Sequence, residues 1–188
     1  MNTEPETMQE TVNITTKYGP LVVKFGGERQ FEEGSFDGRK LVTKRVARVY
    51  SLDAAPLKVN GVEYRVYGDL CYGDHFVWNK EKGEGDPVTG WHYAPDSRQH
   101  INREKHFGSG ISVWTGDATA KAFSTIRDLM LETVNQAART FPEAVTEGLR
   151  VWLLEQAENN AKEANKLDEE ARDLDRKAQA MRERAAAL

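Results

Sequence analysis

Residues 153–188 read LLEQAENNAKEANKLDEEARDLDRKAQAMRERAAAL, and the interpretation of the whole chain starts from this stretch. Its apolar residues recur at alternating steps of four and three, which is the repeat of a coiled-coil seam. Asn160 occupies the one seam position that is polar. The pattern predicts a long helix that pairs with another helix. The predicted oligomerisation residues are Leu153, Ala157, Ala164, Leu167, Ala171, Leu174, Ala178, Met181, Ala185 and Leu188.

The charges that flank this seam indicate the direction of pairing. Acids flank its first half and bases its second half, so a parallel pair of identical helices would set like charges against each other. We therefore expect an antiparallel pair between two chains. Two alternatives stay open, namely packing on the preceding helix of the same chain and a single solvated helix. The expected antiparallel partners are Glu163 with Arg184, Glu170 with Lys177 and Asp168 with Arg182, while Asp175 faces its own mate.

The composition limits the classes of protein to which the chain can belong. Its 188 residues suffice for one domain with a core plus an appendage, and a net charge of -4 argues against a strongly basic nucleic-acid protein. Cys71 is the only cysteine, which excludes an intramolecular disulfide and a four-thiolate metal site. No secretion signal or long apolar run stands out, so we expect a cytoplasmic protein that does not enter a membrane.

Residues 11–115 have the pattern of an antiparallel β domain, after a leader at residues 1–10 that we expect to be disordered. VNITT and LVVKF predict one hairpin, and LKV and VEYRVY predict a second. The second signal is the more specific, because Asn60-Gly61 supplies the two positive φ angles of a type I′ turn. LCYGDHFVWN and VTGWHYA predict a third hairpin.

Other segments of the β domain are less regular. The segment GGERQFEEGSFDGR at 26–39 combines glycines with acids and predicts a long loop. The segment KLVTKRVARVY at 40–50 carries charges on both faces, which favours a strand at a sheet edge. Residues 94–109 predict a second long loop before a short strand at 110–114. Strand spacing predicts that three tryptophans lie in the sheet core, namely Trp78, Trp91 and Trp114.

The hydrophobic period changes from that of a strand to that of a helix after residue 115. Asp117 is a suitable N-cap for a first helix, and Pro142 suits the first turn of a second. The predicted fold class is therefore α+β: an antiparallel sheet or small open barrel at residues 11–115, then a helical hairpin at 116–188 with a long last helix. The predicted buried face of the first helix is Phe123, Ile126, Met130, Val134, Ala137 and Phe141.

The loop at residues 94–109 is the best candidate for a binding site in the sequence. Its bases are interleaved with aromatic residues, a composition typical of proteins that bind single-stranded nucleic acid. Exposed loops of other proteins share this composition, so the signal is weak. The predicted partner-binding residues are Arg98, His100, Arg103, Lys105 and His106.

Signals for catalysis or metal binding are weaker still. A ligand set could be drawn from Cys71, His75, His92, His100 and His106, but their spacing matches no zinc motif. Asp74, His75 and either Ser109 or Ser112 could form a hydrolytic triad, but no nucleophile elbow accompanies them. We predict no catalytic residue, no cofactor and no metal.

The favoured function is that of a non-enzymatic, homo-oligomeric binding or adaptor protein. Its β domain would engage a macromolecular partner, by preference another protein, while the C-terminal helices assemble the subunits antiparallel. The alternative is a nucleic-acid-binding protein that uses residues 94–109. A small hydrolase or metal-dependent enzyme comes third.

Overall fold

The computed structural model describes residues 10–35, 38–95, 100–103 and 117–186. The predicted disordered leader, apart from Glu10, and the predicted strand at 110–114 lie outside these residues. The chain divides into two compact units, Met1–Val151 and Trp152–Leu188. The predicted domain boundary at residue 115 also lies outside the described residues and stays a prediction.

The first unit contains an antiparallel sheet, as predicted. Its described strands follow the order β1-β2-β3-β5-β4, and β6 and β7 pair with β5 as well. The φ angles of Asn60 and Gly61, 52° and 75°, confirm the predicted turn between β4 and β5. The strands are β1 (Thr11–Thr16), β2 (Gly19–Ser35), β3 (Gly38–Tyr50), β4 (Leu57–Val59), β5 (Val62–Asn79), β6 (Glu84–Tyr93) and β7 (His100–Arg103).

The long strand β5 organises the sheet. One of its edges pairs with β4 and then β3, and the other pairs with β7 and then β6. β5 therefore joins the predicted second and third hairpins in one continuous strand. Its pairing with β3 ends at Arg45 and Tyr72, whereas its pairing with β6 continues to Asn79 and Glu84. Beyond that point the described strands form two separate hairpins, the β2–β3 arm (residues 28–45) and the β5–β6 arm (residues 73–90).

Three predictions about the irregular segments are wrong in whole or in part. The predicted loop at 26–39 is mostly strand, because a bulge between Phe25 and Glu28 absorbs two glycines and pairing then resumes as far as Ser35 and Gly38. β3 is an edge strand only over residues 38–44, since residues 45–50 pair with β5 as well as with β2. The predicted loop at 94–109 contains β7.

One face of the sheet packs against helix α1 (Asp117–Thr140) and the first turns of helix α2 (Pro142–Ala186). The predicted face of α1 is confirmed, because Phe123, Ile126, Met130, Val134 and Ala137 are buried and Phe141 is half-buried. Each large apolar side chain buried here contributes about 1.5–3 kcal/mol. The largest fully buried side chains on the sheet side are Leu21, Phe25, Leu57 and Leu70.

Two glycines permit this close packing of helices on the sheet. A Cβ at Gly68 of β5 would lie 2.6 Å from the Cε atom of Met130, and one at Gly148 of α2 would lie 2.5 Å from the carbonyl oxygen of Phe25. The backbone contact at Gly148 is the stricter, because a main chain in a sheet cannot move aside as a methionine side chain can. Only glycine therefore fits at Gly148 without shifting the helix.

The opposite face of the sheet carries a smaller apolar cluster, formed by Phe31, Cys71 and Ala94 with Val42 and Val46 beside them. The prediction that three tryptophans share the sheet core is only partly right. Trp91 is buried, whereas Trp78 is 66% exposed on the β5–β6 arm, and Trp114 lies outside the described residues.

Helix α2 begins at Pro142, as predicted, and is continuous to Ala186. In the second unit its described side chains are exposed, apart from Trp152, Asp173 and Ala178, which are half-buried. Within the described part of the chain, no helix has the length and apolar content required to cross a membrane.

Candidate functional site

A buried lysine connects four strands on the face of the sheet that lies opposite α1. Lys44 of β3 is only 6% exposed, and its side chain crosses β5 over Gly73. Its ammonium group pairs with the carboxylate of Glu33 on β2 and donates to the carbonyl oxygen of Asp74 at 2.9 Å. It also lies 3.2 Å from Nε2 of His92 on β6. An ammonium group has three N–H donors, so these three acceptors use all of them.

The Asp74 carbonyl is the next acceptor after the β3–β5 ladder ends. In an antiparallel pair, alternate residues of a strand point their amide and carbonyl groups to opposite edges. The Asp69 carbonyl accepts from the amide of Ala94, so the Asp74 carbonyl points to the other edge of β5, where β3 has already separated. Lys44 therefore takes the place of a missing backbone donor.

The contacts of His92 in this cluster favour its neutral imidazole form. Its Nδ1 atom lies 3.0 Å from the carbonyl oxygen of Gly90 and therefore carries the hydrogen, which leaves a lone pair on Nε2 for Lys44. Burial lowers the pKa of His92, and electrostatic interactions with His75 and Lys44 lower it further. The hydrogen bond to Gly90 and the charge of Glu33 act against this shift in pKa.

Cys71 and His75 complete the cluster. The Sγ atom of Cys71 lies 3.2 Å from Nε2 of His92, and the ring of His75 stacks on that of His92 with centroids 4.2 Å apart. Because Cys71 is fully buried, its thiol cannot reach an external substrate in this arrangement. Among the described residues, no group of three or more His, Cys, Asp or Glu side chains could hold a metal ion.

The structure separates the residues of the imagined hydrolytic triad. The carboxylate of Asp74 accepts a hydrogen bond from Thr89 on one face of the β5–β6 arm. Successive residues of a strand point to opposite faces, so His75 lies on the other face with His92. Ser109 and Ser112 lie outside the described residues.

No described helix packs on the face of the sheet opposite α1, and this face carries a second candidate surface, in which aromatic residues lie beside charged ones. Tyr50 of β3 and Tyr67 of β5 are cross-strand neighbours. Arg48 lies two residues before Tyr50 on β3, and its cross-strand neighbour on β2 is Lys24. The guanidinium of Arg48 lies 4.7 Å from the centroid of the Tyr67 ring and also pairs with Asp69. We call Lys24, Arg48, Tyr50 and Tyr67 the open face.

Two adjoining depressions occupy this surface. One of about 560 Å³ is lined by Tyr50, Asp53, Arg65 and Tyr67, and one of about 290 Å³ by Arg29, Phe31, Val46 and Ala94. Lys24 and Arg48 line both depressions.

The predicted partner-binding residues fall partly beside this open face. His100 and Arg103 belong to β7, where they pair with Tyr67 and Tyr64 of β5. Arg98, Lys105 and His106 lie outside the described residues. The contribution of the loop at 94–109 to binding stays a prediction.

The β5–β6 arm exposes an unusual amount of apolar surface. Tyr72, Phe76 and Trp78 alternate along one face of β5, and Phe76 is 77% exposed. Val77 and Val88 are exposed on the other face. Exposed large aromatic side chains on one face, such as Phe76 and Trp78, are typical of sites that bind other proteins. Sequence reasoning missed it, because alternation alone does not say whether a face is covered.

The seam of α2 is exposed within the single chain. Leu153, Leu167, Leu174 and Met181 are all more than half exposed, and Met181 reaches 71%. The seam alanines are exposed as well, except for Ala178, which is half-buried, and Leu188 lies outside the described residues. The pairing of this helix stays a prediction.

Comparisons of the chain with protein-family models, with curated proteins and with solved structures found no match.

Proposed function

We propose that this protein is a non-enzymatic, homo-oligomeric binding protein whose C-terminal helices assemble the subunits. The observation that carries the proposal is the row of large apolar side chains exposed along α2, with Leu167, Leu174 and Met181 at heptad spacing. A single helix gains nothing from such a row, whereas pairing would bury it. A cytoplasmic location is part of this proposal.

The sizes of the seam residues support an antiparallel arrangement. The alanines occupy one core position of the heptad, and the leucines and Met181 occupy the other. An antiparallel pair sets the two positions against each other, so each layer combines a small side chain with a large one. A parallel pair would alternate layers of two alanines with layers of two leucines.

No single register provides all the ion pairs expected from the sequence. If Ala171 faces Leu174 of the partner helix, Glu163 meets Arg184 and Glu170 meets Lys177, but Asp168 then meets Asp175. If Ala171 faces Met181 instead, Asp168 meets Arg182, but fewer layers overlap. We favour the first register because it pairs the longest part of the seam.

Light scattering of the full chain at micromolar concentration tests the self-association. We expect a dimer or higher oligomer, and we expect Leu174→Asp to convert it to a monomer by placing a charge in the seam. Ala180→Asp is the matched control, because it adds the same charge to the same helix outside the seam. A monomeric native protein, or an oligomer unaffected by Leu174→Asp, would refute the proposal.

The exposed apolar arm supports a role for the β unit in binding another protein. Phe76 and Trp78 are the residues whose loss we expect to weaken such binding most, because aromatic anchors dominate protein interfaces.

The second candidate function is the binding of single-stranded nucleic acid at the open face. Aromatic side chains beside cations on an uncovered sheet are a common arrangement for stacking bases and contacting phosphates. The backbone of β7 pairs with β5 beside this surface, with His100 in register with Tyr67. Lys24, Arg48 and Arg65 each have an acidic partner, but exposed pairs of this kind are weak enough to exchange with phosphate.

Fluorescence anisotropy with a labelled oligothymidine, measured at two salt concentrations, tests this candidate. Binding should weaken steeply with salt and with Arg48→Gln, whereas Lys121→Gln on α1 serves as the control. Binding that is absent, or insensitive to both Arg48→Gln and salt, would exclude the open face as a nucleic-acid site.

A further inference from the structure

The Lys44 cluster holds together the two arms where the sheet divides. Glu33 and Lys44 belong to the β2–β3 arm, and Asp74 belongs to the β5–β6 arm. His92 lies at the base of the second arm, in register with Cys71. The contacts of one ammonium group therefore connect the two arms beyond the end of the β3–β5 ladder.

We propose that Glu33, Lys44 and His92 form an acid-sensitive clasp that releases the two arms when His92 takes up a proton. The lone pair on Nε2 of His92 receives the hydrogen bond from Lys44. Protonation replaces that lone pair with an N–H group and adds a positive charge beside the ammonium group. Two donors with like charge then face each other at 3.2 Å, so the contact must break.

The groups around His92 do not offer it a compensating partner. Lys44 of β3 and His75 of β5 are basic, and Glu33 of β2 already pairs with Lys44. The Sγ atom of Cys71, 3.2 Å from Nε2, is only a weak acceptor, and the carboxylate of Asp74 lies on the other face with Thr89. Among the described residues that face the ring, protonation therefore gains no acceptor strong enough to replace the contact with Lys44.

The sign of the pH effect follows from the direction of the pKa shift. The pKa of His92 lies below the ordinary value of 6.5 while the clasp is closed. The closed clasp is therefore at its most stable above pH 6.5. It loses stability as the pH falls from 6.5 through the pKa of His92 in the closed form. Over that interval the population of the open form should rise about tenfold for each unit by which the pH falls.

Opening of the clasp has a convenient reporter. Cys71 is the only cysteine of the chain, and it is fully buried beside His92. Release of the β2–β3 arm would uncover it together with Phe31, since the two share the small apolar cluster. Labelling of the full chain by a thiol reagent that stays active in acid thus reports the open form at one site.

The experiment compares the rate of Cys71 labelling from about pH 7.5 to about pH 5 with the rate for the urea-unfolded chain at each pH. For the native sequence, we expect the ratio of the folded-state labelling rate to the unfolded-state rate to rise as the pH falls below 6.5. We expect no rise in His92→Gln, because a glutamine oxygen can accept from Lys44 and does not titrate. His75→Gln is the matched control and should keep most of the pH dependence.

An NMR titration of the histidine imidazoles in the native protein tests the proposal without any substitution. Protonation of His92 should coincide with the rise in Cys71 labelling and with shifts of the Asp74 and Cys71 amide signals. Protonation of His92 without a rise in labelling would overturn the proposal, and so would a rise that persists unchanged in His92→Gln. Both outcomes are independent of whether the chain self-associates.

Discussion

At the scale of single residues, Gly73 determines whether Lys44 can reach its partners. A Cβ at Gly73 would lie 3.0 to 3.2 Å from the Cε, Cδ and Cγ atoms of Lys44. The lysine stem therefore lies flat over a position that has no side chain. This absence allows a β3 residue to cross β5 and contact His92 on β6.

We predict that Gly73→Ala destabilises the protein by about 1–3 kcal/mol, because the added methyl group forces the Lys44 stem from its path. Gly90→Ala is the matched control, since Gly90 is the cross-strand neighbour of Gly73 and an added Cβ would meet nothing within 4 Å. Urea denaturation of both variants measures the difference. Equal stabilities for the two variants would contradict the prediction.

The contacts of the clasp could be predicted from the sequence only in part. Once the turn between β5 and β6 is known, counting back along the two strands pairs Cys71 with His92. The position of Lys44 could not be found in that way. Lysine is usually exposed, and nothing local indicates that a neighbouring arm folds over it.

At the scale of elements, the helices and the short hairpins were predictable because their signals are local. The apolar spacing in α1, Pro142 at the start of α2 and Asn60-Gly61 each depend on residues close together in the chain. The docking of α2 on the sheet through Gly148 was not predictable, because its partner, Phe25, is distant in sequence.

The second half of β2 shows why composition misled the prediction of a loop. Glycines and acids are typical of loops, but here the glycines form a bulge and the acids face bases on β3. Glu28 is opposite Arg45, and Glu32 forms an ion pair with Arg39 at 3.1 Å. The pairing is indicated only when the acids of β2 are compared with the bases of β3. Neither segment alone predicts a strand.

At the scale of the whole molecule, the direction of helix pairing is the property that decides how subunits are related. Distances between spin labels can measure it, with Cys71→Ala as the background. In the favoured antiparallel register, labels at Glu163→Cys would lie about 30 Å from their mates. Labels at Arg172→Cys would lie close to theirs, because this residue is near the centre of the overlap.

A parallel pair gives a different result for the same two labels. Each label would then lie beside its own mate, at roughly 10–20 Å. Short distances at both positions would therefore contradict the antiparallel arrangement. Double electron–electron resonance on the two labelled chains distinguishes the cases without any loss of assembly.

The Lys44 contact with Asp74 also covers part of an unpaired strand edge. Where β3 and β5 separate, each strand presents main-chain groups that a strand from another molecule could extend. Lys44 occupies the first free carbonyl of β5 and places a buried positive charge next to it. Loss of this contact would lengthen the unpaired edge of β5 next to the exposed aromatic residues of the same arm, and we expect it to favour strand addition from another molecule.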